Sequence, residues 1–172
     1  MPKSFNNIAD VVIESRPFAF AASGSAAERY DAKMGAIAPL VGAQKLGYNI
    51  TVVPPGKSAF PLHNHHVNEE MVFVLYGEGK AQIGEHTFPI RANDVIAFPA
   101  GGKETAHQIT NTSSDELRYL AVSTKLSPEI VDYPNSGKFG ILAELPTGVE
   151  DKPQRFVFVG REKDSLNYWE GE

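Results

Sequence analysis

From Leu46 onward, apolar and polar residues alternate in short bursts, each closed by glycine, proline or a polar cluster. LGYNITVV, residues 46–53, alternates and is β-branched, so it predicts a strand. Pro54-Pro55-Gly56 ends it with the residues of a type II turn, in which the glycine takes positive φ. Met71 to Tyr76 is an apolar strand stopped by Gly77-Glu78-Gly79. Lys80 to Ile83 and His86 to Ile90 flank Gly84-Glu85, a two-residue hairpin of the II′ kind. Val95 to Phe98 ends at Pro99, and Ala106 to Thr110 and Leu117 to Thr124 enclose the polar turn NTSSDE. Roughly eight short strands at close spacing predict an all-β antiparallel sandwich or barrel.

The flanks are less regular. Val11-Val12-Ile13 has the composition of a short strand. Ser25 with Glu28 forms a capping-box pattern, and Ala27, Tyr30, Met34 and Ile37 follow at helical spacing, so a short helix or an irregular arm is expected there. After Ser127 the chain is expected to be irregular, with one strand at Arg155 to Val159 and an aromatic patch at Tyr168-Trp169. Both faces of the strand Met71 to Tyr76 are apolar, which predicts cover on both sides. One cover is the barrel interior. The other is the N-terminal arm, the tail or a second subunit, and a homodimer is expected.

Composition narrows the functions. The chain has 172 residues, 42% of them hydrophobic, which suits one domain with a single core. Its 16 basic and 21 acidic residues are mixed along the chain, without the basic stripe a nucleic-acid surface needs. No apolar run approaches the roughly 20 residues of a membrane helix, and the first residues lack a signal-peptide segment. With no cysteine there is neither a disulfide nor a thiolate ligand, and a cytoplasmic location is the simplest expectation.

The chemistry concentrates in PLHNHHVNEEM. Three of the five histidines and two glutamates lie between His63 and Glu70. If this segment is extended, His63 and His65 share a face and His66 points away. Parity does not choose between Glu69 and Glu70, because both faces of the following strand are apolar. His107 opens a later strand, and a neighbouring strand in a closed sheet could bring it beside His63 and His65. Three imidazoles and a carboxylate suit Fe, Mn, Ni, Co, Cu or Zn and leave open positions on the ion.

These residues resemble the two motifs of the cupins, small double-stranded β-helix proteins of the jelly-roll kind. The first motif is present as Gly56, His63-Asn64-His65, four residues, Glu70, six residues and Gly77. The second is present as Pro99-Ala100-Gly101, His107, three residues and Asn111, with Asn93 where glycine is usual. The resemblance implies a cupin barrel with an N-terminal arm and a C-terminal extension. It selects Glu70 over Glu69, and it implies that His63, His65, Glu70 and His107 hold one divalent transition-metal ion. The longer pattern looks like a bacterial cupin group without an assigned reaction. Two gaps are longer than usual: Gly56 to His63 by one residue, and Gly101 to His107 by three. Asn93 is a mild departure because Asn tolerates positive φ. The expected division is an arm over 1–45, a barrel core over 46–126 and an extension over 127–172, all one domain.

Two functions follow. The ion could serve an enzyme acting on a small organic substrate, with dioxygenase chemistry on Fe(II) or isomerisation or decarboxylation on Mn, Ni or Zn. Alternatively, the barrel could bind a sugar or organic acid without turnover, the ion being an anchor. No catalytic residue is named from the sequence. His66, His86, Glu104, Arg118 and the run Arg161 to Asp164 are expected at the surface. Tyr48, Tyr76 and Phe98 are expected in the core.

Overall fold

The computed structural model describes residues 4–17, 21–145 and 154–172. Its strands are β1 (Glu14–Ser15), β2 (Lys33–Ala36), β3 (Leu46–Val53), β4 (Asn64–His65), β5 (Glu70–Tyr76), β6 (Glu78–Ile83) and β7 (His86–Arg91). They continue with β8 (Val95–Phe98), β9 (His107–Thr110), β10 (Leu117–Thr124), β11 (Glu129–Tyr133), β12 (Lys138–Leu145) and β13 (Gln154–Gly160). A six-stranded antiparallel sheet has the order β1-β2-β3-β10-β5-β8. Opposite it lie a three-stranded sheet, β7-β6-β9, and a four-stranded one, β13-β12-β11-β4. A bridge between His63 and His107 joins those two sheets into one layer.

The core sits between the layers. Val53, Val72, Val74, Leu117 and Tyr119 come from the six-stranded sheet, and Ala81, Ile90 and Ile109 come from the other side. Each is an inward position of an alternating strand, and full burial of such a side chain contributes about 1.5–3 kcal/mol. Two motif residues have local structural roles here. Gly77 has φ +82°, and a Cβ there would lie 2.4 Å from the Glu116 carbonyl oxygen. Asn111 is wholly buried; its amide donates to the carbonyls of Val53 and Asp115, and its oxygen accepts from the Ser113 amide and hydroxyl. It thereby closes the NTSSDE turn with no polar atom unpaired.

The hairpin at Gly84-Glu85 forms, with Ile83 opposite His86 and Gly84 at φ +55°. Asn93 takes φ 77°, the conformation for which the glycine is usual. The flanks depart from expectation. The helix expected after Ser25 does not form; residues Gly24–Ala26 make a 3-10 turn, and Met34 lies in β2, paired with β3. The open edge of β3 overrides the helical spacing, and among the described residues only Ala38–Val41 is α-helical. Val11 to Ile13 is not a strand; the strand is β1, just after it. Instead Val11 and Ile13 pack, with Ile37, Ile50 and Val52, on the outer face of β3. The tail is more regular than expected: β11, β12 and β13 form an antiparallel sheet that continues the β4 layer. Among the described residues no helix is long and apolar enough to cross a membrane.

Candidate metal centre

The bridge that joins the sheets also builds the site. The His63 amide donates to the His107 carbonyl at 3.2 Å, and the His107 amide donates back to His63 at 2.7 Å. Two residues paired in this way project their side chains to one face. His65, two residues along, shares that face, and its ring centroid lies 5.1 Å from that of His63. Glu70 comes from the opposite layer. It has the parity of Val72 and Val74, which are buried, and so points into the barrel. Structure therefore separates the two glutamates that parity alone did not: Glu69 is exposed, its amide bound to the Thr124 hydroxyl.

One donor atom from each of His63, His65, Glu70 and His107 lies within 4.8 Å of the others. Donors around one ion at about 2.1 Å stand roughly 3–4 Å apart, so a small contraction closes the set. His107 Nε2 lies 3.2 Å from Glu70 Oε2. The outward nitrogens fix the tautomers. His63 Nδ1 donates to the Pro61 carbonyl at 2.9 Å, and His107 Nδ1 donates to the Thr105 carbonyl at 3.2 Å. His65 Nδ1 is buried without a hydrogen-bond partner and lies 3.6 Å from Glu129 Oε2. With Nδ1 carrying the proton, Nε2 of each ring has its lone pair free for an ion.

Electrostatics agree with that arrangement. Burial, and then the imidazoles of His107 and His65, push His63 down to about 4. Burial likewise lowers His65, although the charges of Glu70 and Glu129 oppose it. Burial pushes the Glu70 carboxyl up, but the close approach of His107 and the surrounding imidazoles outweigh it, and the net shift is downward. Neutral imidazoles and an ionised carboxylate are the forms a cation needs. The cluster could hold a metal ion.

Around the donors are two spaces. An inner compartment of about 190 Å³ is bounded by Phe98, Tyr119 and Val72, and an outer cavity of about 540 Å³ opens beside His63, His65 and Glu70. The outer cavity takes one wall from the extension, through Val131, Tyr133 and Leu142, and carries the cationic side chains of Lys125 and Arg155.

The remaining candidates stand apart. His66 turns away and places Nε2 2.7 Å from Asp132 Oδ2. His86 is exposed. Glu104 caps its own loop through the Gly102 amide, and Arg118 pairs with Glu116 at the surface. Tyr48 packs under the arm, while Tyr76 is exposed rather than in the core. Phe98 is both core and site wall: its ring stacks on His107 with centroids 3.9 Å apart and 4° between planes. Glu129 is the residue that local reading missed. Its only signal was a charge on an inward position of the alternating segment EIVDY.

Residues 49–123 match the family model described as Cupin domain. The chain carries a cupin domain. Its fold resembles that of a putative sugar phosphate isomerase from Acidithiobacillus ferrooxidans, with a TM-score of 0.74, 24% identity and 96% of each chain covered. A sugar phosphate isomerase of the cupin superfamily from Silicibacter pomeroyi gives a TM-score of 0.73 at 18% identity, covering 94% of this chain and 96% of that one. These likenesses show the cupin fold. In sequence, an oxalate-binding protein from Thermotoga maritima is 37% identical over 70 residues, 41% of this chain and 54% of that protein. The chain thus spans about half the length of the curated relatives it matches.

Proposed function

We propose that this cupin binds one divalent transition-metal ion through His63, His65, Glu70 and His107 and acts as a metal-dependent enzyme on a small organic molecule in the outer cavity. One observation carries the reading: four donors from separate segments converge while the far nitrogens of His63 and His107 are tied to carbonyl oxygens. The bound ion would supply Lewis-acid polarisation of a substrate oxygen, or dioxygen chemistry if it is iron. The chain supplies the rest. Its cavity gives a small molecule access to the donors, and Lys125 and Arg155 offer positive charge to an anionic group at the cavity wall. Neighbours named as sugar phosphate isomerases support a small, oxygen-rich substrate. A non-catalytic reading, in which the ion anchors a bound acid, is favoured by the relative named as an oxalate-binding protein.

Element analysis of protein from its native host tests the ion, with about one Fe, Mn, Ni, Co, Cu or Zn per chain expected. His65→Ala should lose at least about 100-fold in metal affinity, because it removes a donor. His66→Ala should retain the metal, because that ring faces Asp132. Equal losses in the two variants would refute the assignment. Turnover of small acids or sugar phosphates by the loaded protein separates the enzyme from the binding module.

We also propose a homodimer. The arm covers the outer face of β3, yet on the same sheet Met71 is 39% exposed and Val95 61%. A second copy would cover that face, and a light-scattering mass near one 18.7 kDa chain would contradict it.

A further inference from the structure

Beyond the four donors, one buried carboxylate meets the site from the far side. Glu129 opens β11, outside the residues matched to the cupin model, and is 6% exposed. Its Oε1 accepts the amides of His66 and Val67, both at 3.2 Å. Its Oε2 accepts the Asn68 amide at 2.9 Å and the Asn68 side-chain amide. Residues 66–68 are most of the spacer between His65 and Glu70. Asn68 ties that spacer to the end of β10 as well, accepting from the Thr124 hydroxyl and the Leu126 amide. A buried carboxylate with this many donors is held in one place.

The second observation is the orphan nitrogen. His65 Nδ1 is buried and has no hydrogen-bond partner, and Glu129 Oε2 lies 3.6 Å away. A movement of about half an ångström makes this a charge-assisted hydrogen bond. The other two rings already have an oxygen behind them. Glu129 is the group placed to do the same for His65.

Resting on the reading that the four donors bind an ion, we infer that Glu129 is a positioning residue for it. It orients His65 through Nδ1 and sets the spacing from His65 to Glu70 through the 66–68 amides. The C-terminal extension is then part of the metal centre and not only a wall of the cavity. Outer carboxylates of this kind typically change metal affinity 10- to 100-fold.

The test uses the full chain, stripped of metal and titrated with Co(II) alone. Affinity is read by competition with a chelator, and donor geometry by the visible absorption bands at saturation. Glu129→Gln keeps the size and an acceptor oxygen, so it should fold; it should bind Co(II) about 10- to 100-fold more weakly, with shifted bands. Asp132→Asn is the control. It weakens another side-chain tie between the segment after β4 and β11, the His66–Asp132 contact, and should change affinity by less than about twofold with the bands unmoved. Wild-type affinity and bands in Glu129→Gln would overturn the inference, as would an equal loss in Asp132→Asn. Failure of the wild-type chain to bind Co(II) would overturn the metal reading and this inference together. Binding by the wild type with an unaffected Glu129→Gln would remove this inference alone.

Discussion

In the barrel, Val53, Val74 and Leu117 have no solvent exposure, whereas in β13 Phe156, Val157, Phe158 and Val159 are each 43–54% exposed. The barrel strands turn one apolar face inward, and a second layer covers that face. Strand β13 has four apolar residues in a row, so both its faces are apolar, and among the described residues it pairs with β12 alone. The comparison separates two quantities that are easily merged. Apolar, β-branched sequence makes a strand, but only cover converts its side chains into stability. Glu129 stands at the boundary between these regions, where the less covered sheet reaches the donors.

Three measurements press on this contrast, in falling order of effect. Leu117→Ala should destabilise the chain by about 4 kcal/mol in denaturant unfolding, since it leaves a cavity at the centre of the barrel. A loss under about 1 kcal/mol would mean the core collapses around the change and the contrast is false. Acid comes next. His63 titrates at about 4 in the folded chain and near 6.5 when unfolded. As pH falls from 6.5 to 4, the unfolded state takes up a proton that the native state refuses. Stability of the metal-free protein is therefore intact above 6.5 and declines below it, by about 3 kcal/mol at pH 4. A flat thermal midpoint across that window would contradict the buried, neutral ring. The smallest effect belongs to the hairpin: Phe158→Ser should cost less than about 1 kcal/mol in a monomer. A loss above about 2 kcal/mol would show that a second copy covers β13.

Much of this was legible in the sequence. The strands 46–53, 95–98 and 117–124 have the bounds read from the sequence, because their apolar and β-branched runs are closed by proline or polar turn residues. The converging histidines were legible in part. Parity grouped His63 with His65 and set His66 aside, but neither Glu70 nor His107 could be assigned without a known motif, since strand pairing decides both. Strand β2 was hidden because Met34 and Ile37 happen to fit a helical period, and only the free edge of β3 reveals the strand. Strands β11 and β12 were hidden by Glu129, Asp132 and Gly140, residues that dilute an apolar pattern yet pair normally across the sheet. Glu129 was the least legible of all, as its partners are amides some 60 residues away in sequence.

Phe98 lies flat against His107 and is itself 1% exposed. An imidazole clamped between an aromatic plate and a carbonyl cannot swing aside when no cation is present. That donor is already in place, whereas His65, whose Nδ1 has no partner, is held less firmly. A donor fixed in direction favours ions whose preferred geometry suits it, so a rigid cluster would depart from the order Mn < Fe < Co < Ni < Cu > Zn that a pliable one follows. If the cluster holds an ion, its identity would be settled by that fit together with supply, and the same polypeptide made in different hosts could emerge with different metals.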